Sequence, residues 1–150
     1  MGKTHDTYVK EGIELFTKRI SRYYPVEWKI FPSAKNAASL TEAQIKKAEA
    51  TQLLNAMNMD DKLVALDENG TEWNSPDLAA FLLQKAGDST KNIIFLIGGA
   101  YGLHETVFKK CDYRWSLSKL VFPHQLVRLI LSEQLYRACT IIRNEKYHHS

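Results

Sequence analysis

Two short stretches, Leu63-Val64-Ala65-Leu66 and Ile93-Ile94-Phe95-Leu96-Ile97, are apolar at every position. A strand with one wet face alternates polar and apolar residues. A run without alternation suits a strand covered on both faces, as in a parallel sheet wrapped by helices. Helical patterns lie around both runs. Residues 7–24 carry Val9, Gly12, Ile13, Phe16, Ile20 and Tyr23 on one stripe, with Lys10, Glu14, Lys18 and Arg22 elsewhere. Pro25 stops that helix, and Val26, Trp28 and Ile30 then alternate with Glu27 and Lys29 as a strand does. Thr41 followed by Gln44 has capping-box spacing. Ser75-Pro76-Asp77 reads as a helix start, with Ser75 as cap, and Gly87 as its stop. A short helix is expected over about 103–111, a short strand plus loop over Trp115 to Leu120, and a last helix from about His124 to Arg143. Strands alternating with helices predict a three-layer α/β fold with a mostly parallel sheet, in one domain spanning 1–150.

In such folds ligands bind at the carboxyl ends of the strands. Here those ends are Leu66-Asp67, Ile97-Gly98-Gly99 and the loop after Trp115. "IIFLIGGAYGLHE" places glycines directly after a strand, where a ligand can approach the backbone. The spacing is G-G-x-x-G, not the dinucleotide fingerprint G-x-G-x-x-G. A tight strand-to-helix turn and a ligand loop both account for it. Asp67, in "VALDENG", reads first as a turn cap and second as a ribose contact.

The last helix is apolar on nearly every side: Leu126, Val127, Leu129, Ile130, Leu131, Leu135, Tyr136, Ala138, Cys139, Ile141 and Ile142 cover most of its circumference. A surface helix leaves about half its face polar, so this one needs cover on more than one side. A second copy of the chain would supply it, which predicts a homodimer; a central helix in a monomer is the alternative. Glu133 and Arg137 are four apart and can pair. Arg128 and Arg137 are open to two readings, structural ion pairing or contact with RNA phosphate. His124, behind Pro123 at the helix start, can cap, touch a ligand or take a proton. Tyr147-His148-His149 near the end reads as a frayed tail or as one ordered by a partner.

The net charge is +3, spread unevenly. Residues 1–50 hold nine Lys/Arg against six Asp/Glu, residues 51–100 three against seven, and residues 101–150 eight against four. Such basic ends suit solvated surface or an anionic partner such as RNA. No apolar run approaches the ~20 residues of a membrane span, and MGKTHDTYVK lacks the pattern of a signal peptide. Cys111 and Cys139 match no metal spacing and are expected reduced, in a cytoplasmic protein. No Ser-His-Asp order, HExxH or P-loop occurs, so hydrolase, metalloprotease and ordinary kinase chemistry have nothing to rest on, and no metal is expected.

The segments "LIGGAYGL", "SLSKLVFPHQLVRLILSEQLYRA" and "YHHS", with "GKT", "LD…G" and "SPDLA" before them, together resemble the RlmH family, the small SPOUT-class methyltransferases of the bacterial large ribosomal subunit. The resemblance covers nearly the whole chain, and the block Ser116–Ala138 is its most specific part. It implies an α/β sheet with a C-terminal trefoil knot, a homodimer, and S-adenosylmethionine as methyl donor. It implies methylation of N3 of a pseudouridine in 23S rRNA on the assembled 70S ribosome. By position, the cofactor residues are Leu66, Gly98, Leu117, Ser118, Lys119, Leu120, Val121 and Phe122. His124, Arg128, Arg137, Tyr147 and His148 become the candidates for proton handling, positioning and RNA contact. Two departures stand out. The family's apolar first strand, which leads into the Gly-Lys pair, is not in the sequence given, where Met1 stands directly before Gly2; a start assigned too far downstream and a true loss of the strand both account for this. His149 and Ser150 stand where the family tail carries a basic residue. A non-catalytic ribosome-binding protein of the same fold is the main rival reading; a protein that binds another nucleotide is the third.

Overall fold

The computed structural model describes residues 3–147, with side chains from residue 7 onward. The elements are α1 (Lys3–Ile20), a short 3-10 turn (Ala37–Ser39), α2 (Glu42–Asn55), β1 (Lys62–Glu72), α3 (Ser75–Gly87), β2 (Ile93–Leu96), α4 (Glu105–Lys110), β3 (Tyr113–Ser116) and α5 (His124–Ile142). They group into two compact units that interleave along the chain. A helical unit draws on Met1–Trp28, Trp73–Ser89 and Phe122–Ser150; a sheet unit draws on Lys29–Glu72 and Thr90–Val121.

In the sheet unit the strand order is β2-β1-β3, and β1 pairs parallel with both neighbours. Val64 and Ala65 on this central strand are fully buried, as their unbroken apolar run predicts. Leu63, Ala65 and Leu96 form a core with Ala50 of α2 and with Leu103 and Val107 at α4; Leu53, Leu54 and Met57 pack on its margin. Trp115 of β3 is buried, with its ring 6.1 Å from that of Phe95. The second apolar run behaves differently from expectation. β2 lies at the edge of the sheet, and only its last residue, Leu96, is buried. Leu96 joins the core shared with α2 and α4, Ile94 packs on its margin, and Ile93 and Phe95 are only partly covered.

β1 also runs further than the "DENG" turn suggests. Leu66 pairs with Trp115, the chain then bulges, and Thr71 pairs with Trp115 again. Arg114 of β3 closes the bulge by an ion pair with Asp67 and lies over the Phe108 ring, 4.1 Å from its centre. Asp67 is therefore committed to a cation across the sheet rather than to its own turn.

In the helical unit α5 packs against α1 and α3. Gly12 lets α1 approach closely: a Cβ there would stand 2.6 Å from Leu129 Cδ1. Leu131, Ala138 and Cys139 are buried, as are Ser132 and Thr140. The two hydroxyls donate to the carbonyls of Leu129 (2.9 Å) and Arg137 (2.7 Å), so neither is buried unpaired. Arg19 lies over Tyr136, 5.4 Å from the ring centre, and Tyr136 in turn meets Phe16, Tyr23 and Tyr147.

Other stretches also differ from the sequence reading, β3 among them, which begins at Tyr113 rather than Trp115. Val26–Ile30 is not a strand. Alternation needs a sheet edge to accept the backbone, and the three described strands pair only among themselves; Trp28 Nε1 instead donates to Thr17 Oγ1 at 2.9 Å. α1 ends at Ile20, whose carbonyl accepts from the amides of Tyr23 and Tyr24, so the turn begins before Pro25. The cap of α3 is Asn74, not Ser75: Asn74 and Asp77 form a reciprocal capping box. The capping box of Thr41 and Gln44 forms as its spacing predicts. No helix among the described residues is long and apolar enough to cross a membrane.

Candidate functional site

All three strands are parallel: β2 ends at Leu96, opposite Ala65 of β1, and Trp115 near the end of β3 stands opposite Leu66, ahead of the bulge in β1. Gly98 and the segment from Leu117 to Val121 lie just beyond β2 and β3; Leu66, expected at a strand end, lies inside β1 just before the bulge, because the strand resumes its pairing with β3 and runs on to Glu72. Phe122, the last of the cofactor candidates, falls in the helical unit.

Of the glycines after β2, Gly98 is required by close packing against main chain, and Gly102 by its positive φ of 82°. A Cβ on Gly98 would stand 2.6 Å from the Gly102 carbonyl carbon, and Gly99 and Gly102 are bridged by a backbone hydrogen bond of 3.1 Å. A Cβ on Gly99 would meet both carboxylate oxygens of Glu49, at 2.8 and 2.9 Å. Glu49, on α2, thus presses on the glycine turn, and sequence spacing gave no sign of it.

Beyond β3 the chain forms a local polar knuckle. Ser116 Oγ donates to the Ser118 carbonyl at 2.9 Å, and Leu120 N donates to Ser118 Oγ at 3.0 Å. Among the described residues the main chain of Ser118–Val121 makes no hydrogen bond to other main-chain groups. Leu120 and Val121 expose 69% and 79% of their surface. A purine needs edge donors and acceptors together with apolar faces, and this loop offers both. The residues present therefore fit an adenosine-bearing cofactor.

The helical unit carries the other candidates. His124 opens α5 and is exposed, with no side-chain capping bond from Pro123 before it. Arg128 is half-buried and donates to Gln125 Oε1 at 3.4 Å. Arg137 and Tyr147 are brought together: both donate to Glu133 Oε1, Arg137 through Nε (2.9 Å) and Nη2 (2.6 Å), Tyr147 through its hydroxyl (3.0 Å). The Arg137 guanidinium also lies over the Tyr147 ring, 4.9 Å from its centre. The hydrogen bond to Glu133 raises the Arg137 pKa further, so the residue is a fixed cation. Burial, and then the same carboxylate, push the Tyr147 phenol above its ordinary value. His148 lies outside the described residues. The thiols of Cys111 and Cys139 are free, and burial pushes each up to about 11, which keeps them protonated and unreactive near neutral pH.

The model of a family described as "Predicted SPOUT methyltransferase" matches residues 1–148. The chain is 44% identical over 149 residues to a protein of Cytophaga hutchinsonii named Ribosomal RNA large subunit methyltransferase H, covering 99% of this chain and 96% of the relative. Proteins of the same name from Parabacteroides distasonis and Geotalea daltonii are 42% and 40% identical, each over 99% of this chain and 95% of the relative. The chain belongs to the SPOUT methyltransferases, in the same family as these relatives.

Proposed function

We propose that the protein is an S-adenosylmethionine-dependent methyltransferase acting on N3 of a pseudouridine in 23S rRNA of the assembled 70S ribosome. The observation that carries this reading is the family match over almost the full chain, to relatives whose name states large-subunit rRNA methylation. The same breadth favours an enzyme over a non-catalytic ribosome binder. We read the two units as one methyltransferase domain, knotted in its C-terminal part, cytoplasmic, and working as a homodimer whose interface includes α5. The half-covered apolar residues of that helix, Leu126, Val127, Leu129 and Ile130 among them, support the dimer.

In this proposal the sheet unit holds the cofactor. Leu66, Gly98 and Leu117–Val121, with Phe122, bind it, the loop backbone reading the adenine edge and Leu120 and Val121 contacting its faces. When bound, the cofactor supplies a methyl group on a sulfonium that leaves as a neutral thioether, so the reaction needs no metal. The chain must align N3 with the methyl carbon and accept the imide proton. His124 and the tail residues Tyr147 and His148 are assigned to positioning and proton handling, Arg128 and Arg137 to RNA phosphate.

The test is transfer of labelled methyl from S-adenosylmethionine to unmodified bacterial 70S ribosomes, with free 23S rRNA alongside. Label at one pseudouridine of intact ribosomes is the expected result. Cofactor binding without transfer would instead favour the non-catalytic binder. His124→Ala is expected to lower kcat while leaving cofactor affinity unchanged; transfer at the wild-type rate would remove its assigned role.

A further inference from the structure

The Glu133 carboxylate is the hub of a hydrogen-bonded chain that begins on a different helix. Its Oε1 receives Arg137 and Tyr147, as described. Its Oε2 accepts from Gln134 Nε2 at 2.8 Å, and Gln134 Oε1 accepts from Ser75 Oγ at 2.6 Å. Ser75 opens α3; Gln134 lies 59 residues further on, in α5. Taking the methyltransferase reading as its basis, we propose that Ser75 and Gln134 are positioning residues. They set the Glu133 carboxylate, which in turn holds the Arg137 guanidinium and the Tyr147 phenol in one fixed arrangement.

Three features separate this chain from incidental surface polarity. First, Ser75 is not needed to start its helix. Asn74 and Asp77 already supply both reciprocal capping bonds, which leaves the Ser75 hydroxyl for a long-range partner. Second, Glu133 and Gln134 are consecutive on a helix, and consecutive residues do not face each other. A side-chain bond between them forms only if the Gln134 amide is drawn toward its neighbour and its polarity is set. The Ser75 hydroxyl does this by donating to the amide oxygen, which leaves the NH2 group for the carboxylate. Third, one carboxylate oxygen carries three donors, two from Arg137 and one from Tyr147. The side chains of Arg137 and Glu133 are only 24% and 21% exposed, so the pair is better shielded than an ordinary surface salt bridge. Tyr147 is further clamped between the Arg137 cation and the Tyr136 ring, whose centre is 4.7 Å from its own. The segment leading into the tail therefore starts from a defined position on α5.

The consequence is that the alignment of Arg137 and Tyr147 depends on Ser75 and Gln134, to which the proposed function assigns no contact with RNA or cofactor. Kinetics of the full-length protein on 70S ribosomes with labelled S-adenosylmethionine test this. Gln134→Leu and Ser75→Ala should each lower kcat, on the order of tenfold, with an unchanged KM for the cofactor. Because the links act in series, the double variant should be no slower than Gln134→Leu alone. Ser75→Thr, which keeps the hydroxyl, should retain the wild-type kcat. Independently of activity, the Tyr147 phenol can be titrated by ultraviolet difference against Tyr147→Phe. Its pKa should drop in Glu133→Gln and shift in Gln134→Leu. Wild-type kcat in both single variants, or a Tyr147 titration indifferent to Glu133→Gln, would overturn the positioning role. Silence of the wild-type protein on ribosomes would instead overturn the methyltransferase reading on which it rests. Variants as fast as an active wild type would overturn only the positioning chain.

Discussion

At Gly98 a missing methyl group decides the local path of the chain. A Cβ there collides with main-chain atoms of Gly102 and Leu103, which cannot swing aside as a side-chain tip can. Gly98→Ala should destabilise the protein by about 1–3 kcal/mol, the usual cost of overpacking. Gly87, at the end of α3, has nothing within 4 Å of a built Cβ. Gly87→Ala should be neutral or stabilising by up to about 1 kcal/mol, from helix propensity and a less flexible unfolded chain. Urea unfolding of the two variants checks the contrast. A pH prediction rests on Tyr23 and Cys139. The hydrogen bond to Glu145 raises the Tyr23 phenol from 10.0 to about 12, and burial raises Cys139 from 9.0 to about 11. Both folded values exceed the unfolded ones, so the neutral forms are favoured in the native state. The stabilisation is complete below the unfolded values and is lost as pH climbs through the folded ones. The urea midpoint should therefore decline from about pH 9 to 12, and Tyr23→Phe should flatten the upper part of that decline.

Among the elements, local chemistry decides the helix starts. The side chain of Thr41 accepts from Gln44 N at 3.2 Å while Gln44 returns a bond to Thr41 N at 2.9 Å. Thr41→Ala should cost about 1 kcal/mol of stability, measurable as a shift in thermal or urea midpoint. Such boxes are legible in a sequence because both partners lie within one turn. β1 and the glycine turn after β2 were legible for a similar reason: apolar continuity and Gly pairs are local signals. Val26–Ile30 has the same quality of local signal and still forms no strand, because a strand is completed only by a neighbour. The site divides along the same line. Gly98 and the loop after β3 could be placed from the order of the elements, whereas Leu66 falls inside β1, because pairing with β3 resumes beyond the bulge. Glu49 against Gly99, and Ser75 on Gln134, could not, because each depends on how one element is rotated against a distant one. Arg137 with Glu133 was visible as an i,i+4 pair, whereas Tyr147 joined it only through the fold.

For the whole molecule, the apolar circumference of α5 remains the largest demand. Leu131 is 2% exposed, and Leu131→Ala should cost about 2–5 kcal/mol by leaving a cavity among the three helices. On the side where Leu126 and Ile130 stay half-covered, the proposed dimer makes a separate prediction. Ile130→Glu should shift sedimentation from dimer to monomer while leaving the far-ultraviolet circular dichroism helical; a monomeric wild type would remove that interface. The interleaving of the two units also bears on how the protein is made. The sheet unit is complete in the chain by Val121, but the helical unit lacks its third helix until Ile142 has been added. α1, finished at Ile20, therefore waits for more than a hundred residues of synthesis before α5 exists. At ~5–20 residues per second that is roughly 6–24 s during which its apolar stripe has no native cover. Through that interval α1 presents an apolar stripe whose native partner helix is still unmade, so the helical unit can close only after α5 has emerged.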